Sequence, residues 1–146
     1  MSRAARPERA ARPAAPATGA SLPWLLLALG AIAGLTLAAY WAAPGHDFVA
    51  LDDVMYVKEN PAVLAKHYGD LLLSVVAGNF HPLTMLSMAW NVPAPLSATP
   101  FIVTNIVLHV LNTLLVFWLV WAISNRRLLV AAFVALLFGI HPMHVE

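Results

Sequence analysis

The chain has no cysteine among its 146 residues. Disulfide frameworks, thiolate metal sites and cysteine nucleophiles are therefore excluded. Charge is also scarce. Asp, Glu, Lys and Arg make up 10% of the residues, where soluble domains carry about a quarter. The net charge is +1, and no Lys/Arg patch is interleaved with aromatics, so nucleic acid is not an expected partner. There is no glycine-rich phosphate loop, no Ser-His-Asp set and no H-E-x-x-H, which leaves ATP chemistry and metalloprotease chemistry without support.

What is abundant is apolar surface. Hydrophobic residues are 61% of the chain and the mean hydropathy is +0.77. This composition belongs to an integral membrane protein. The expected fold is all-α, with about three transmembrane helices near 22–42, 101–121 and 128–141, since a span takes roughly 20 residues. Pro23 suits the first turn of the first helix, and Trp24, Tyr40 and Trp41 flank it where amphipathic rings favour the interface. A secretory signal is the competing reading of that segment. Its apolar run is long for a signal and its cleavage site is poor, so an uncleaved anchor is preferred. Residues 1–20 carry Arg3, Arg6, Arg9 and Arg12 against Glu8, with prolines at 7, 13 and 16, and read as a disordered basic cytoplasmic tail.

Residues 43–100 are expected to form an extended extracytoplasmic first loop containing short interfacial helices. Asn60-Pro61 marks a turn or helix start. Leu71 to Ala77 reads as a membrane-skimming or buried helix. Leu83, Met85, Leu86, Met88 and Trp90 suit one lipid-lying helix, after which Pro93, Pro95 and Pro100 break the chain. Charge near the span ends orients the whole. The four tail arginines and Arg126-Arg127 fall on the cytoplasmic side, with two crossings between them. Asp52, Asp53, His81, His141, His144 and Glu146 then share the opposite face.

Asp52-Asp53 is the only adjacent carboxylate pair in the sequence. Mutual repulsion is one way a carboxylate is prepared as a general base. Sugar transfer to a hydroxyl needs such a base, and a pair allows one residue to act while the other positions the acceptor or binds a cation. From spacing alone, an Asx-turn or helix cap is the preferred explanation of the pair. His141-Pro142-Met143-His144 with Glu146 could hold a divalent cation, hydrogen-bond a phosphate, or cap a helix end. Asn105, His109 and Asn112 share one helical face inside the second apolar run. They suit interhelical hydrogen bonding, or, for Asn105 near the outward end, a site-lining role.

Four segments in order resemble a known family. Phe48-Val49-Ala50-Leu51-Asp52-Asp53 with Tyr56-Val57 and Glu59-Asn60-Pro61 comes first. His81-Pro82-Leu83-Thr84 with Leu86-Ser87 comes second. Thr104-Asn105 through Leu108-His109 is third, and Leu136-Leu137-Phe138-Gly139-Ile140-His141-Pro142-Met143-His144-Val145-Glu146 is fourth. Together they cover about residues 46–146 and are similar to the N-terminal part of the tetratricopeptide-repeat transmembrane O-mannosyltransferase family of bacterial type. The resemblance implies a GT-C glycosyltransferase that moves a mannose-like sugar from a polyprenyl-phosphate donor to a protein Ser or Thr hydroxyl. It implies a site in the bacterial inner membrane, with the acidic loop periplasmic. By that analogy Asp53 is the catalytic base and Asp52 supports it, while His81, Asn105, His141, His144 and Glu146 line the donor or acceptor region. Where family members carry histidines before the Asn, this chain has Phe101, Ile102 and Val103. Residues 21–146 are expected to be an N-terminal fragment of the membrane domain, incomplete for catalysis alone. The alternative is a small non-catalytic membrane interaction or assembly protein.

Overall fold

The computed structural model describes residues 20–49 and 52–141. Among them the secondary structure is helical, with a single isolated bridge between Val76 and Asn79. Proline starts most of the helices. Pro23, Pro61, Pro82 and Pro100 occupy the first two positions of α1 (Leu22–Ala39), α2 (Pro61–Leu64), α4 (Pro82–Asn91) and α5 (Thr99–Ile123). There the missing N–H costs nothing and the fixed φ suits a helix. Asn60 adds a side-chain cap to α2, accepting the Val63 N–H at 3.2 Å. The remaining helices are α3 (Tyr68–Leu71) and α6 (Leu128–Ile140).

Length separates the three apolar helices. At about 1.5 Å per residue, α5 with 25 residues is long enough to cross the roughly 30 Å hydrocarbon layer of a bilayer. So is the apolar stretch Leu22–Gly45 that contains α1. α6, with 13 residues, falls short. Only 11% and 22% of the two long apolar windows are buried, so their side chains face outward rather than into a protein core.

α1, α5 and α6 pack together. Ile32, Phe117, Ala131 and Ala135 form the buried centre of this trio. The contact face of α6 is a four-residue repeat of small side chains, Ala131, Ala135 and Gly139, all buried. Small residues let helix backbones approach closely, and Gly139 is the closest point. A Cβ built there would lie 2.5 Å from the Thr36 Oγ1 of α1 and 2.8 Å from the Thr113 Cγ2 of α5.

The segment between α1 and α5 has a core of its own. Val57, Val63, Leu71, Met85 and Ala89 are buried together, with Phe101 of α5 packed against them. This sits the loop on the end where α1 stops and α5 starts. A helix does form around Leu83–Trp90, as α4, and it buries Met85 and Ala89 in the loop's own core, whereas the helix expected over Leu71–Ala77 is not formed. α3 ends at Leu71, and the chain turns back through left-handed Ala77 and Gly78 so that Val76 and Asn79 pair. The β-branched pair Val75-Val76 favours extended backbone, and glycine at φ 80° supplies the turn.

Candidate functional site

Between the loop and the helix trio lies a cleft of about 930 Å³. This is within the usual size of small-molecule sites. Its walls include Tyr40 after α1, residues of 43–49, Asp52, Asp53 and Val57, one side of α4, and Ala98 with the first turns of α5.

Asp52 and Asp53 stand at the N-terminal mouth of a π-helical turn, Val54–Lys58, closed by the Glu59 N–H on the Val54 carbonyl at 2.8 Å. Such wide turns are uncommon and recur at functional sites. Successive helical side chains diverge by about 100°, so the two carboxylates do different things. Asp53 is half-buried and its Oδ2 accepts the Val49 N–H at 2.8 Å, which pins the loop. Asp52 is exposed to the cleft and has no hydrogen bond or ion pair among the described residues. Asp47 also lines the cleft, but its Oδ1 is occupied by the Phe48 N–H at 2.8 Å. Among the described residues no lysine or arginine lines the cleft. Lys58 lies just behind the wall, 5.8 Å over the Phe48 ring.

The opposite wall is held by a short polar chain. Thr104 Oγ1 donates to Asn91 Oδ1 at 2.9 Å, and Asn91 Nδ2 donates to the Ser87 carbonyl at 2.9 Å. Thr99 Oγ1 donates to the Pro44 carbonyl at 3.1 Å and ties the start of α5 to the loop. Phe48 and Phe101 meet edge-to-face, with centroids 5.6 Å apart. Asn105 lines the cleft one helical step below Thr104, with its amide uncommitted among the described residues.

The other expected site residues separate. His81 does not line the cleft. It stands at the N-cap position of α4, half-buried against the Tyr56 ring at 5.2 Å. His141 does not line it either. Its carbonyl accepts the Tyr40 hydroxyl at 3.0 Å, so the end of α6 is tethered to a residue of the cleft wall. His144 and Glu146 lie outside the described residues, as does the 1–19 segment of the basic tail. Among the described residues no three His, Asp or Glu side chains gather as a metal-binding group.

Asn105, His109 and Asn112 divide as well. His109 is buried, its Nε2 donating to the Gly139 carbonyl at 2.9 Å, and its ring lies between Tyr40 and Phe138. Asn105 and Asn112 are exposed. Interhelical hydrogen bonding is therefore the role of His109 alone among the three. Replacing His109 with leucine leaves a buried carbonyl in the trio without this partner, an expected loss of about 1–3 kcal/mol. The check is a denaturation midpoint in detergent, where His109→Leu should unfold well before the parent protein.

Tyr40, His46, Phe48 and Asn91 are among the cleft residues that sequence reasoning did not single out as site residues. The signal for them is weak, because they come from separate segments and only chain closure unites them. The class so defined, among the described residues, is all-helical with two helices long and apolar enough to cross a membrane and a carboxylate-lined cleft at one end of them. Comparison with protein-family models, curated proteins and solved structures finds no match to it.

Proposed function

We propose that the chain is the N-terminal part of a GT-C type membrane glycosyltransferase, in which the cleft receives a protein Ser or Thr hydroxyl and a mannose-like sugar carried on a polyprenyl phosphate. The observation that carries this reading is Asp52, a carboxylate open to a cleft of substrate size and free of hydrogen bonds among the described residues. In the reaction, an Asp52 oxygen takes the proton of the acceptor hydroxyl. The Ser or Thr hydroxyl oxygen so freed of its proton forms the new bond to the anomeric carbon while the bond from that carbon to the phosphate oxygen breaks, and the polyprenyl phosphate leaves with the electron pair. Asp53 holds the loop through Val49 and keeps Asp52 aimed. The family analogy leans to Asp53 as the base; the proposal gives that role to Asp52. An oxygen already accepting an N–H has less to offer a hydroxyl. Among the described residues no lysine or arginine lines the cleft but His46 does, so neutralising the donor phosphate falls to that imidazole, to groups outside the described residues or to a divalent cation.

The membrane setting is part of the proposal. α1 and α5 cross, and α6 is the third span, its short length tolerated where Ala131, Ala135 and Gly139 are covered by protein. That α1 is built into the trio through Ile32 and Thr36 supports a retained anchor rather than a cleaved signal. Arg126 and Arg127 follow the end of α5 remote from the cleft. By the positive-inside rule this puts the cleft on the extracytoplasmic side of a bacterial inner membrane. Since the chain has no cysteine, single substitutions Glu59→Cys and Asn125→Cys test the topology directly. In intact cells a membrane-impermeant maleimide should label the first and not the second; the reverse pattern would overturn the orientation.

Activity is tested in membranes carrying the full reading frame, by transfer of labelled mannose from polyprenyl-phosphate mannose to a Ser/Thr peptide. Changing both Asp52 and Asp53 to Asn should remove transfer. Undiminished transfer would sink the enzyme reading and favour a non-catalytic assembly protein. The specific observation on that side is the exposed amide of Asn112 on the outward, otherwise leucine-rich face of α5.

A further inference from the structure

The cleft is amphipathic along its length. At the loop end it carries Asp47, Asp52, Asp53 and one imidazole, His46. From there it runs down α5 past Ile102 to Leu108, roughly two and a half turns from the start of that helix. Among the described residues that line it, His46 is the one side chain able to carry positive charge. Its ring makes no hydrogen bond or ion pair among the described residues. Its backbone is fixed. The His46 N–H closes the 3₁₀ turn Ala43–Gly45 by donating to the Ala43 carbonyl at 3.0 Å. The Pro44 carbonyl of that turn accepts from Thr99 at the start of α5. His46 is also the first residue after the apolar stretch Leu22–Gly45, and the exposed Trp41 stands just before it. In a spanning chain that is headgroup depth, where amphipathic rings collect and a lipid phosphate sits above its hydrocarbon.

We propose that His46 binds the phosphate of the lipid-linked donor, a ring N–H donating to a non-bridging oxygen, with the first isoprene units running down α5 toward Leu108. This rests on the glycosyltransferase reading above. The donor is a phosphodiester and carries a single negative charge. As the bond from the anomeric carbon to the phosphate oxygen breaks, the departing polyprenyl phosphate takes the electron pair and becomes doubly charged. The carboxylates of Asp47, Asp52 and Asp53 line the same cleft and repel that charge, so a hydrogen-bond donor is needed beside it. An N–H already in place stabilises the departing phosphate more than the bound diester, so it acts on kcat as well as on binding. An imidazole supplies that N–H whether neutral or charged.

Equilibrium binding of radiolabelled farnesyl phosphate to the purified product of the full reading frame tests this without reference to turnover. His46→Ala should weaken binding about ten- to a hundredfold, the usual worth of a hydrogen bond to a charged group, and should lower kcat for transfer. His46→Gln, which keeps an N–H at similar reach, should recover most of the loss. His67→Ala removes an exposed imidazole that precedes α3 and does not line the cleft, and it should bind as the parent does. Phosphatidic acid, a phosphate on two acyl chains, should displace the probe poorly. Parent-like binding by His46→Ala, a His46→Gln variant as weak as His46→Ala, an equal loss in His67→Ala, or displacement by phosphatidic acid as ready as by unlabelled farnesyl phosphate would each overturn the inference. A parent protein that binds no farnesyl phosphate would overturn the glycosyltransferase reading with it. Normal binding by His46→Ala, beside a parent that binds and transfers, removes the role of His46 alone.

Discussion

Replacing Gly139 with leucine is expected to take the α1–α5–α6 trio apart, and replacing it with alanine to weaken it measurably. The reason lies in what surrounds the glycine. A Cβ would stand 2.5 Å from Thr36 Oγ1, 2.8 Å from Thr113 Cγ2 and 3.3 Å from Thr113 Oγ1. Both threonines are buried, and β-branched side chains in helices have little χ1 freedom. Thr113 is further held by donating its hydroxyl to the His109 carbonyl at 2.8 Å. Thr113 cannot swing away without losing that bond, so the α5 and α6 backbones must separate. Separation strains the bond from His109 Nε2 to the Gly139 carbonyl as well. Overpacking of this kind costs about 1–3 kcal/mol for one methyl group. Alanine regains at most ~1 kcal/mol of helix propensity over glycine, and less here, one residue from the end of α6. The steric cost therefore dominates. A denaturation series in detergent reads the result: Gly139→Ala should unfold earlier than the parent, and adding Thr36→Ala should recover part of the loss. A Gly139→Ala protein as stable as the parent would remove the close-contact account.

Asp52→Asn is expected to lower the rate of sugar transfer by about 10²- to 10⁴-fold, the usual contribution of a general base. Asp53→Asn is expected to lower it far less. The amide oxygen of Asn at 53 can still accept the Val49 N–H, so the loop keeps its shape. Asp53→Ala removes that acceptor and should affect acceptor binding and turnover together. The measurement is kcat and KM for each variant with a Ser/Thr peptide and the polyprenyl-phosphate sugar. If Asp53→Asn is the severe variant and Asp52→Asn the mild one, the base is Asp53, as the family analogy implied. The contrast is informative because the two residues are adjacent in sequence and differ only in what the fold gives each of them.

Much of the scaffold is legible in the sequence because it depends on local composition. The apolar runs after Pro23 and Pro100 become α1 and α5 with ends within a few residues of expectation. α6 is found where Leu128 to Ile140 is uncharged. Pro82 starts α4, as its position before Leu83 and Met85 suggests. The misses fall where local pattern is outvoted. Leu71–Ala77 is apolar enough for a helix, but Val75-Val76 and the turn at Ala77-Gly78 commit it to extended backbone. Asn105, His109 and Asn112 share a face by spacing, yet the line of contact with α6 passes beside them and takes only His109.

By itself, the sequence determined the helical class, the two long apolar helices and the grouping of acidic residues away from Arg126-Arg127. Each of these follows from the transfer cost of side chains and the conformational preferences of proline, which act residue by residue. Only the tertiary structure decided that Asp53 is engaged and Asp52 open, that Asn105 joins the cleft while His81 does not, and that Gly139 is the point where three helices meet. Those outcomes rest on contacts such as Tyr40 to His141 and His109 to Gly139. Such contacts link residues far apart in the chain, and their geometry exists only once the helices have packed.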